Sequence, residues 1–488
     1  MKKKIRQNNA AIKTIPEFMQ PHPASYRDTE GFIFKHDGNM YRYIHPNYEV
    51  HYAQLMNSGL YEELVKKNML VAHREINETG SFHFSEGRVL LPEQIPFISY
   101  PYEWSFDMCK DAALLTLHIA QAALHKGMML KDATPFNIQF FKGRPIFIDT
   151  LSFENYVAGK PWIAYRQFCE CFLAPLLLMH YCHPGTHKLF TVYPNGIPMD
   201  VLANLLPNRS KWNMNTMLHV HLQVKFAGKP NPVRTPARKI HSGGDQPGGQ
   251  KPGSENNFSK QKLEILLKGL ESFVQKLSLK KIKTTWDDYY TGTILGDDYL
   301  IAKTALVKTF ISDLEYGHVI DLGANDGHFS SLFAPGIQVI ASDADPNCIN
   351  DLYLRTRQDG RANILPLVID FTSPSPAIGW NNAERESITS RLKADLVLAL
   401  ALVHHLAIAK NVPLHLIAGW LQPMGEHLII EFVPKTDEKV KLLLQNRKDI
   451  FDKYDLENFK TIFANTYQVV KEEKVGNTDR VLFLMKRK

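Results

Sequence analysis

The sequence predicts an α/β fold, with a doubly wound parallel sheet in the C-terminal part and an α+β domain before it. Three observations lead to this prediction. After residue 311, apolar strands alternate with helical segments, and two of these strands end at an aspartate. A basic segment rich in Pro and Gly separates them from an N-terminal half with a different pattern. Sheets of this kind bind ligands at the carboxyl ends of their strands.

The composition is that of an ordinary globular protein. Of 488 residues, 44% are hydrophobic and 22% are charged, which excludes a wholly disordered, collagen-like or disulfide-scaffold chain. The five cysteines include no CxxC pair, so the sequence predicts a cytoplasmic location. The cysteines at 169, 171 and 182 lie in apolar sequence, which favours a buried helix over a zinc site, and no metal is expected. No apolar run has the length of a signal peptide or a membrane span, so we expect no membrane partner.

Residues 227–260 are predicted to form a flexible basic linker. They contain six Lys and Arg against two acidic residues, with five Pro and six Gly, and therefore too few apolar side chains to offset the entropy of ordering. The net charge of the whole chain, +7, is too widely spread to indicate nucleic acid. A charge run of this kind is usually solvated, so nucleic acid stays an open but unsupported partner. The linker separates an N-terminal domain, 1–226, from the C-terminal part.

The C-terminal part is predicted to consist of a helical lead-in, 261–310, and a sheet domain, 311–488. Within and next to the lead-in, apolar residues recur at helical spacing in 263–279 and 299–314. The first strand of the domain is followed by a glycine turn and then by residues that favour a helix. Predicted strands lie at 318–322, 338–342, 364–369, 395–402, 427–432 and 481–485.

The turn after the first strand is predicted to bind an adenosine-containing ligand. Gly323 and Gly327 permit a tight turn with close backbone approach, and the helix after it would offer free N–H groups to an anionic end. Asp343 ends the next strand, where a carboxylate can accept two hydrogen bonds from a ribose diol. A dinucleotide fingerprint would need glycines in place of Asn325 and His328, and no P-loop lysine follows. Dinucleotide and P-loop ligands are therefore disfavoured.

Residues 319–327, VIDLGANDG, resemble the first motif of class I S-adenosylmethionine-dependent methyltransferases, which contain a Rossmann-like sheet. The family's acidic residue after the second strand matches Asp343, while Asn325 stands where the family often has glycine. The resemblance implies a methyltransferase that uses S-adenosyl-L-methionine. It places the glycine turn around the methionine part, Asp343 at the ribose, and Asp370 with Phe371 at the adenine. The cofactor-binding residues implied in this way are Asp321, Gly323, Ala324, Asn325, Gly327, Asp343, Ala344, Asp370 and Phe371.

Two histidines follow the fourth strand, at the position that faces the methyl-transfer site in such folds. His404 or His405 can accept a proton from an attacking oxygen or nitrogen, because imidazole titrates near neutrality. Paired histidines at a strand end are equally compatible with packing or orienting roles. These two residues are the candidate catalytic residues. The methyl acceptor is unidentified, and a small molecule is favoured over a macromolecule.

A narrower resemblance involves WDDYY at 286–290, Lys303 and GEHLIIEFVP at 425–434. Together with the glycine turn and the paired histidines, they are similar to a bacterial group of nodulation-protein-like methyltransferases. The aromatic residues of WDDYY either cover the cofactor or substrate or form a core against which the lead-in helices dock. Glu431, at the end of the fifth strand, is a weaker site candidate.

The N-terminal half contains a second motif. The spacing of Asp132 and Asn137, followed by a strand that ends at Asp149, resembles the catalytic and metal-binding segments of protein-kinase-like phosphotransferases. In that family the first aspartate orients a hydroxyl, and the asparagine and second aspartate hold magnesium.

The N-terminal motif departs from the kinase pattern in several places. Leu130 replaces a histidine, Arg42 replaces the phosphate-binding lysine, and no glycine-rich loop precedes them. The N-terminal domain is therefore predicted to be a kinase-like or other α+β module that recognises substrate or partner. The alternative is a phosphotransferase or binding scaffold that uses the three motif residues, with a C-terminal domain that only senses S-adenosylmethionine.

Overall fold

The structure is a computed structural model, and it describes residues 20–76, 82, 84, 86–227, 258–280, 297–445 and 447–488. The WDDYY segment and most of the predicted basic linker lie outside these ranges. Within them, no helix combines the length and the apolar character needed to cross a membrane.

The described part of residues 20–227 forms an α+β module with three small antiparallel sheets. Its strands are β1 (Gly31–His36), β2 (Asn39–Ile44), β3 (His73–Glu75), β4 (Arg88–Pro92), β5 (Met128–Leu130), β6 (Ile138–Phe141), β7 (Arg144–Phe147) and β8 (Phe153–Asn155). Its helices are α1 (Glu49–Asn57), α2 (Leu60–Lys66), α3 (Phe106–His125), α4 (Tyr165–Phe168), α5 (Ala174–Tyr181), α6 (Leu189–Val192), α7 (Met199–Leu205), α8 (Met214–Thr216) and α9 (Leu222–Ala227). The strands pair in the orders β1–β2–β4–β3, β5–β8 and β6–β7.

Helix α3 is the centre of this module. Met108, Ala112, Leu115 and Ile119 recur at helical spacing and are all buried, so one face of the helix forms part of the core. Helix α10 (Lys260–Lys276) lies along α3, and its Glu271 accepts hydrogen bonds from side chains of α3. Of the two helices in the predicted lead-in, this first one thus packs on the N-terminal module.

The remaining elements surround a seven-stranded sheet in the described residues of 297–488. The strands are β9 (His318–Leu322), β10 (Gln338–Asp343), β11 (Ile364–Val368), β12 (Ala394–Ala399), β13 (Gly425–Phe432), β14 (Tyr467–Lys474) and β15 (Val481–Arg487). The helices are α11 (Asp297–Ile311), α12 (Pro346–Gln358), α13 (Ile388–Arg391), α14 (Leu414–Leu421), α15 (Glu438–Leu444) and α16 (Leu456–Phe463). Helix α11 contributes Val307 and Phe310 to a core with the sheet.

The strand order of the sheet is β11–β10–β9–β12–β13–β15–β14. The first five strands run parallel, which confirms the α/β prediction, whereas β15 runs antiparallel to β13 and to β14. The edge strand β14 is missing from the sequence prediction, because Lys471, Glu472 and Glu473 give it little apolar character. In register, Leu322 lies beside Ser342, and Asp343 lies beside Val368. The ends of β9, β10 and β11 therefore meet at one edge of the sheet.

The prediction of a helix directly after the glycine turn is wrong. The residues after Gly327 form turns and one short 3-10 segment, Ser330–Leu332. The chain is too short here for a helix, because it reverses through Pro335 and Gly336 before β10 begins at Gln338. The turn therefore has no helix N-terminus to offer to an anion. The N–H of Asn325 in this turn donates to Asp343, as described below.

A polar interface joins the N-terminal module to the sheet domain. Arg391 forms an ion pair with Glu103, and the two side chains are only 6% and 0% exposed. The backbone N–H of Asp107 donates to Asn350 Oδ1 over 2.8 Å, and Asn350 Nδ2 donates back to the Asp107 carboxylate. Apolar residues from both parts also belong to one continuous core. The two parts thus bury both charge and apolar surface against each other.

We expect Arg391→Ala to lower the free energy of unfolding by about 3–5 kcal/mol, because it leaves the carboxylate of Glu103 buried without a counter-charge. The matched control is Arg27→Ala at the same interface. The Arg27 side chain is 55% exposed, and its partner Glu384 keeps a second arginine, Arg385, so this loss should stay within about 1 kcal/mol. Urea unfolding followed by circular dichroism measures both. Equal losses in the two variants would contradict the prediction.

Candidate active site

A cavity opens at the carboxyl edge of the sheet, where β9, β10, β11 and β12 end. The cavity brings together six of the nine predicted cofactor residues and one of the two histidines. The residues that line it are Gly323, Asn325, Asp343, Ala344, Ile369, Asp370, Phe371, Thr372, Leu400, Ala401, Leu402, His405, Leu406, Ala409 and Lys410.

The turn after β9 has a left-handed backbone at three positions. Gly323, Asn325 and Gly327 have φ angles of +75°, +50° and +77°. Asparagine tolerates this conformation better than other non-glycine residues, which explains how Asn325 replaces a glycine here. A Cβ at position 327 would lie 2.4 Å from Leu352 Cδ1, so glycine is also required there by space. The turn thus places the backbone of Gly323 and Asn325 at the edge of the cavity.

Asp343 connects this turn to the end of β10. Its Oδ2 accepts a hydrogen bond from the Asn325 N–H over 3.0 Å, and its Oδ1 accepts one from the Asp345 N–H over 2.9 Å. Burial raises the pKa of Asp343, although these N–H groups act in the opposite direction. A carboxylate offers about four lone-pair sites, so Asp343 can accept a further hydrogen bond at the cavity wall. A ribose hydroxyl is a donor of that kind.

Asp321 and Ala324 are buried behind the turn. The Ser330 hydroxyl donates to Asp321 Oδ2 over 2.6 Å, and burial raises the pKa of this carboxyl to about 6. The structure thus places Asp321 as an internal anchor of the turn. Gly327 is likewise absent from the cavity lining.

Asp370 follows β11 on the opposite side of the cavity from the turn. Its Oδ1 accepts hydrogen bonds from the Thr372 N–H and hydroxyl, over 2.9 and 2.6 Å. Burial alone would raise the pKa of Asp370, but Thr372 and the nearby Lys188 and Lys410 together hold it below its usual value. The neighbouring Phe371 ring packs against Trp420. A charged acceptor and an aromatic face therefore lie side by side.

The structure separates the two candidate histidines. His405 lines the cavity, whereas His404 is fully buried behind it, with the ring centroids 4.1 Å apart. Among the described residues, neither ring nitrogen of His404 has a hydrogen-bond partner. Burial, and after it the charges of Arg480 and Lys439, lowers the pKa of His405 to about 4, and burial also lowers the pKa of His404 well below its usual value. Both imidazoles are neutral at pH 7 and able to accept a proton.

A buried charge cluster lies behind the histidines, where β13 ends. Lys303 Nζ is 2.6 Å from Glu431 Oε2, with side chains 1% and 0% exposed, and the Tyr299 hydroxyl donates to Glu431 Oε1 over 2.6 Å. Arg480 donates to that hydroxyl over 2.7 Å and makes two bonds to Asp437. Burial opposes ionisation of Glu431, yet the two cations hold its pKa below the usual value.

Sequence reasoning found Lys303 and Glu431 but missed the other members of this cluster. Arg480 follows the polar run Asn477–Asp479, which gives no signal of burial. The cluster joins α11, β13 and the turn before β15 at the side of the cavity where β12 and β13 end.

The kinase-like residues of the N-terminal module lie close together but are already engaged. Asp149 Oδ1 pairs with Arg42 over 2.6 Å, and Asp149 Oδ2 accepts the Ser152 hydroxyl, which itself accepts Asn137 Nδ2. Burial and the charge of Asp149 raise the pKa of Asp132. In the described part of the chain, no three His, Cys, Asp or Glu side chains are arranged to hold a metal ion.

Comparison with known proteins identifies a relative that matches nearly the whole chain. No family model matches the sequence. Nodulation protein NoeA of Rhizobium meliloti (strain 1021) is 33% identical to the chain over 473 residues, which cover 95% of each protein. The chain belongs to the NoeA family. The match spans both the N-terminal module and the sheet domain, so this family shares the two-part organisation at the level of sequence.

Solved structures that are similar to part of the chain include two proteins of known source. N-methyltransferase NodS of Bradyrhizobium japonicum WM9, in complex with S-adenosyl-L-homocysteine, is 15% identical, with a TM-score of 0.31, over 41% of this chain and 92% of NodS. The PH0226 protein of Pyrococcus horikoshii OT3 is also 15% identical, with a TM-score of 0.30, over 41% of this chain and 96% of its own. At this identity and TM-score, neither likeness assigns a ligand or an activity to the NoeA-family chain.

We expect Glu431→Gln to lower the free energy of unfolding by about 3–5 kcal/mol, because Lys303 then stays buried without its counter-charge. The double variant Lys303→Met with Glu431→Met removes both charges and should lose clearly less. Glu426→Gln is the control, since Glu426 pairs with Lys486 on the surface and the pair contributes about 1 kcal/mol or less. Chemical denaturation measures all three. A double variant that is less stable than Glu431→Gln would show that the charge itself is not the cause.

Proposed function

We propose that the chain is a class I S-adenosyl-L-methionine-dependent methyltransferase that transfers a methyl group to an oxygen or nitrogen of an unidentified acceptor. One observation carries the proposal: the Asp343 carboxylate is fixed against the left-handed glycine turn and lines the cavity. The cavity beside it is bounded by the ends of parallel strands, where ligands of such sheets bind.

The residues present fit an adenosyl cofactor in three places. Asp343 and Ala344 would hold the ribose, and Asp370 with Phe371 would hold the adenine. The backbone of Gly323 and Asn325, which line the cavity, would lie along the methionine part. When bound, the cofactor supplies an electrophilic methyl group on a sulfonium. The task left to the chain is to orient the acceptor and to take its proton.

We assign proton acceptance to His405, because this imidazole lines the cavity and is neutral at pH 7. His404 packs behind it with ring centroids 4.1 Å apart, so we assign it to positioning. The apolar residues Leu402 and Leu406 border the same wall and exclude water, which strengthens electrostatic interactions inside the cavity.

The N-terminal module takes a recognition role in this proposal, for the acceptor or for a partner. A phosphotransferase would need the carboxylate of Asp149 for magnesium, and both of its oxygens already have partners in Arg42 and Ser152. No specific observation therefore favours the phosphotransferase alternative built on Asp132, Asn137 and Asp149.

We expect the purified chain to bind S-adenosyl-L-homocysteine, and Asp343→Ala to weaken that binding at least about 30-fold, because two charge-assisted hydrogen bonds to the ribose are lost. Asp359→Ala, at the exposed end of α12, is the control. Isothermal titration calorimetry measures the affinities, with magnesium-ATP as a second titrant. Binding of magnesium-ATP without binding of the homocysteine compound would refute the proposal.

We expect His405→Ala to lower kcat by about 10²- to 10⁴-fold, the usual contribution of a general base, with cofactor affinity little changed. The acceptor for this assay comes from a labelled-methyl screen of extract fractions. Because the neutral imidazole is the active form and its pKa is about 4, activity should be lost only as the pH falls towards 4. The rate should therefore stay level between about pH 5.5 and 8, whereas an ordinary histidine would give a decline near its pKa of about 6.5. Full kcat in His405→Ala would remove this residue from the mechanism.

A further inference from the structure

A lysine of the N-terminal module lies beside a residue of the cavity wall. Lys188 Nζ lies 3.8 Å from Asp370 Oδ2, with side chains 47% and 26% exposed. Asp370 belongs to the sheet domain and lines the cavity where the proposed function puts the adenine. A charge from the N-terminal module therefore lies next to a lining residue of the sheet domain.

The segment that carries Lys188 is held firmly on both sides. Pro184, His187 and Phe190 are buried, and the Phe190 ring packs against Phe136 in the N-terminal module. The 3-10 helix Pro184–Lys188 also contacts α12, the helix that begins just after Asp343 and Ala344. The segment thus contacts the helix that follows the ribose-side residues, and its Lys188 lies near Asp370 on the adenine side.

The two oxygens of Asp370 differ in their remaining capacity to accept hydrogen bonds. Both hydrogen bonds from Thr372 go to Oδ1, whereas Oδ2 faces Lys188 at a distance too long for a direct hydrogen bond. Oδ2 therefore keeps a lone pair for another donor. The 6-amino group of adenine is a donor, and the 6-oxo group of hypoxanthine is an acceptor.

We propose that Lys188 is a positioning residue for the adenosyl cofactor, through which the N-terminal module completes the adenine end of the cavity. The proposal rests on the proposed function. A ring placed over Asp370 removes water from the ion pair, and the attraction between Lys188 and Asp370 grows as the local dielectric constant falls. The cofactor and the ion pair therefore stabilise each other. The pair also fixes Oδ2 in its ionised, accepting state, which selects a ring with an amino donor.

This arrangement couples the two parts of the chain. A molecule that binds the N-terminal module and displaces the segment 184–190 will change cofactor affinity, and the cofactor will change the affinity for that molecule by the same factor. The recognition role proposed for the module thereby acquires a physical route to the site of methyl transfer.

The test uses the full chain and two titrants, S-adenosyl-L-homocysteine and its 6-oxo analogue S-inosyl-L-homocysteine. We expect Lys188→Ala to weaken binding of the adenosyl compound about fivefold, and Lys188→Glu to weaken it about 20-fold through repulsion of Asp370. Lys188→Arg should restore affinity to within about twofold, since it keeps the charge. The control Lys66→Ala changes an exposed lysine of α2 and should have no effect.

Two further measurements separate positioning from mere packing. Lys188→Ala should reduce the preference for the adenosyl over the inosyl compound, because the preference depends on Oδ2. In an Asp370→Asn background, Lys188→Ala should change affinity less than twofold, since the two residues act as one unit.

The outcomes distinguish this inference from the proposed function. If the unaltered chain binds neither compound, the proposed function fails and the inference with it. If the chain binds the adenosyl compound and Lys188→Ala behaves like Lys66→Ala, the inference is overturned and the function stands. If Lys188→Ala weakens binding by the same factor in the unaltered chain and in the Asp370→Asn background, the inference is also overturned, because Lys188 would then not act through Asp370.

Discussion

The carboxylate of Asp343 joins the two strand ends on which the site depends. One oxygen accepts from the turn after β9, and the other accepts from the continuation of its own strand. The turn keeps its left-handed backbone at Asn325 because that N–H has this fixed partner. Burial of the carboxyl raises its pKa, whereas the N–H donors act in the opposite direction. The same group is thus both the link between the strands and an acceptor at the cavity wall.

A second layer of buried charge fixes the far side of the cavity. Glu431, Lys303 and Arg480 come from β13, α11 and the turn before β15, and each needs the others because none of them reaches water. Burial, and after it the positive charges of Arg480 and Lys439, lowers the pKa of His405. Arg480 and Lys439 do not line the cavity, yet they influence the chemistry available to His405.

The sequence was most informative where structure is local. Strand apolarity, the glycines of the turn and the aspartates at strand ends depend on short segments, and they predicted the parallel sheet and several residues of the cavity lining. The prediction of a helix after Gly327 was wrong, because helix propensity does not take into account how few residues separate this turn from β10. Lys188 and Arg480 gave no signal, since their importance arises from contacts with residues distant in sequence. The split between His404 and His405 likewise depends on how two adjacent side chains pack in three dimensions.

The ion pair between Glu103 and Arg391 disfavours the separation of the two parts of the chain during evolution. A gene rearrangement that separated them would expose an unpaired charge on each half, along with the apolar surfaces that now share one core. Neither fragment would then be a sound starting point for new combinations with other proteins. Inheritance of the chain as a single piece is the physical expectation, and its near full-length match to the Rhizobium meliloti protein agrees with that.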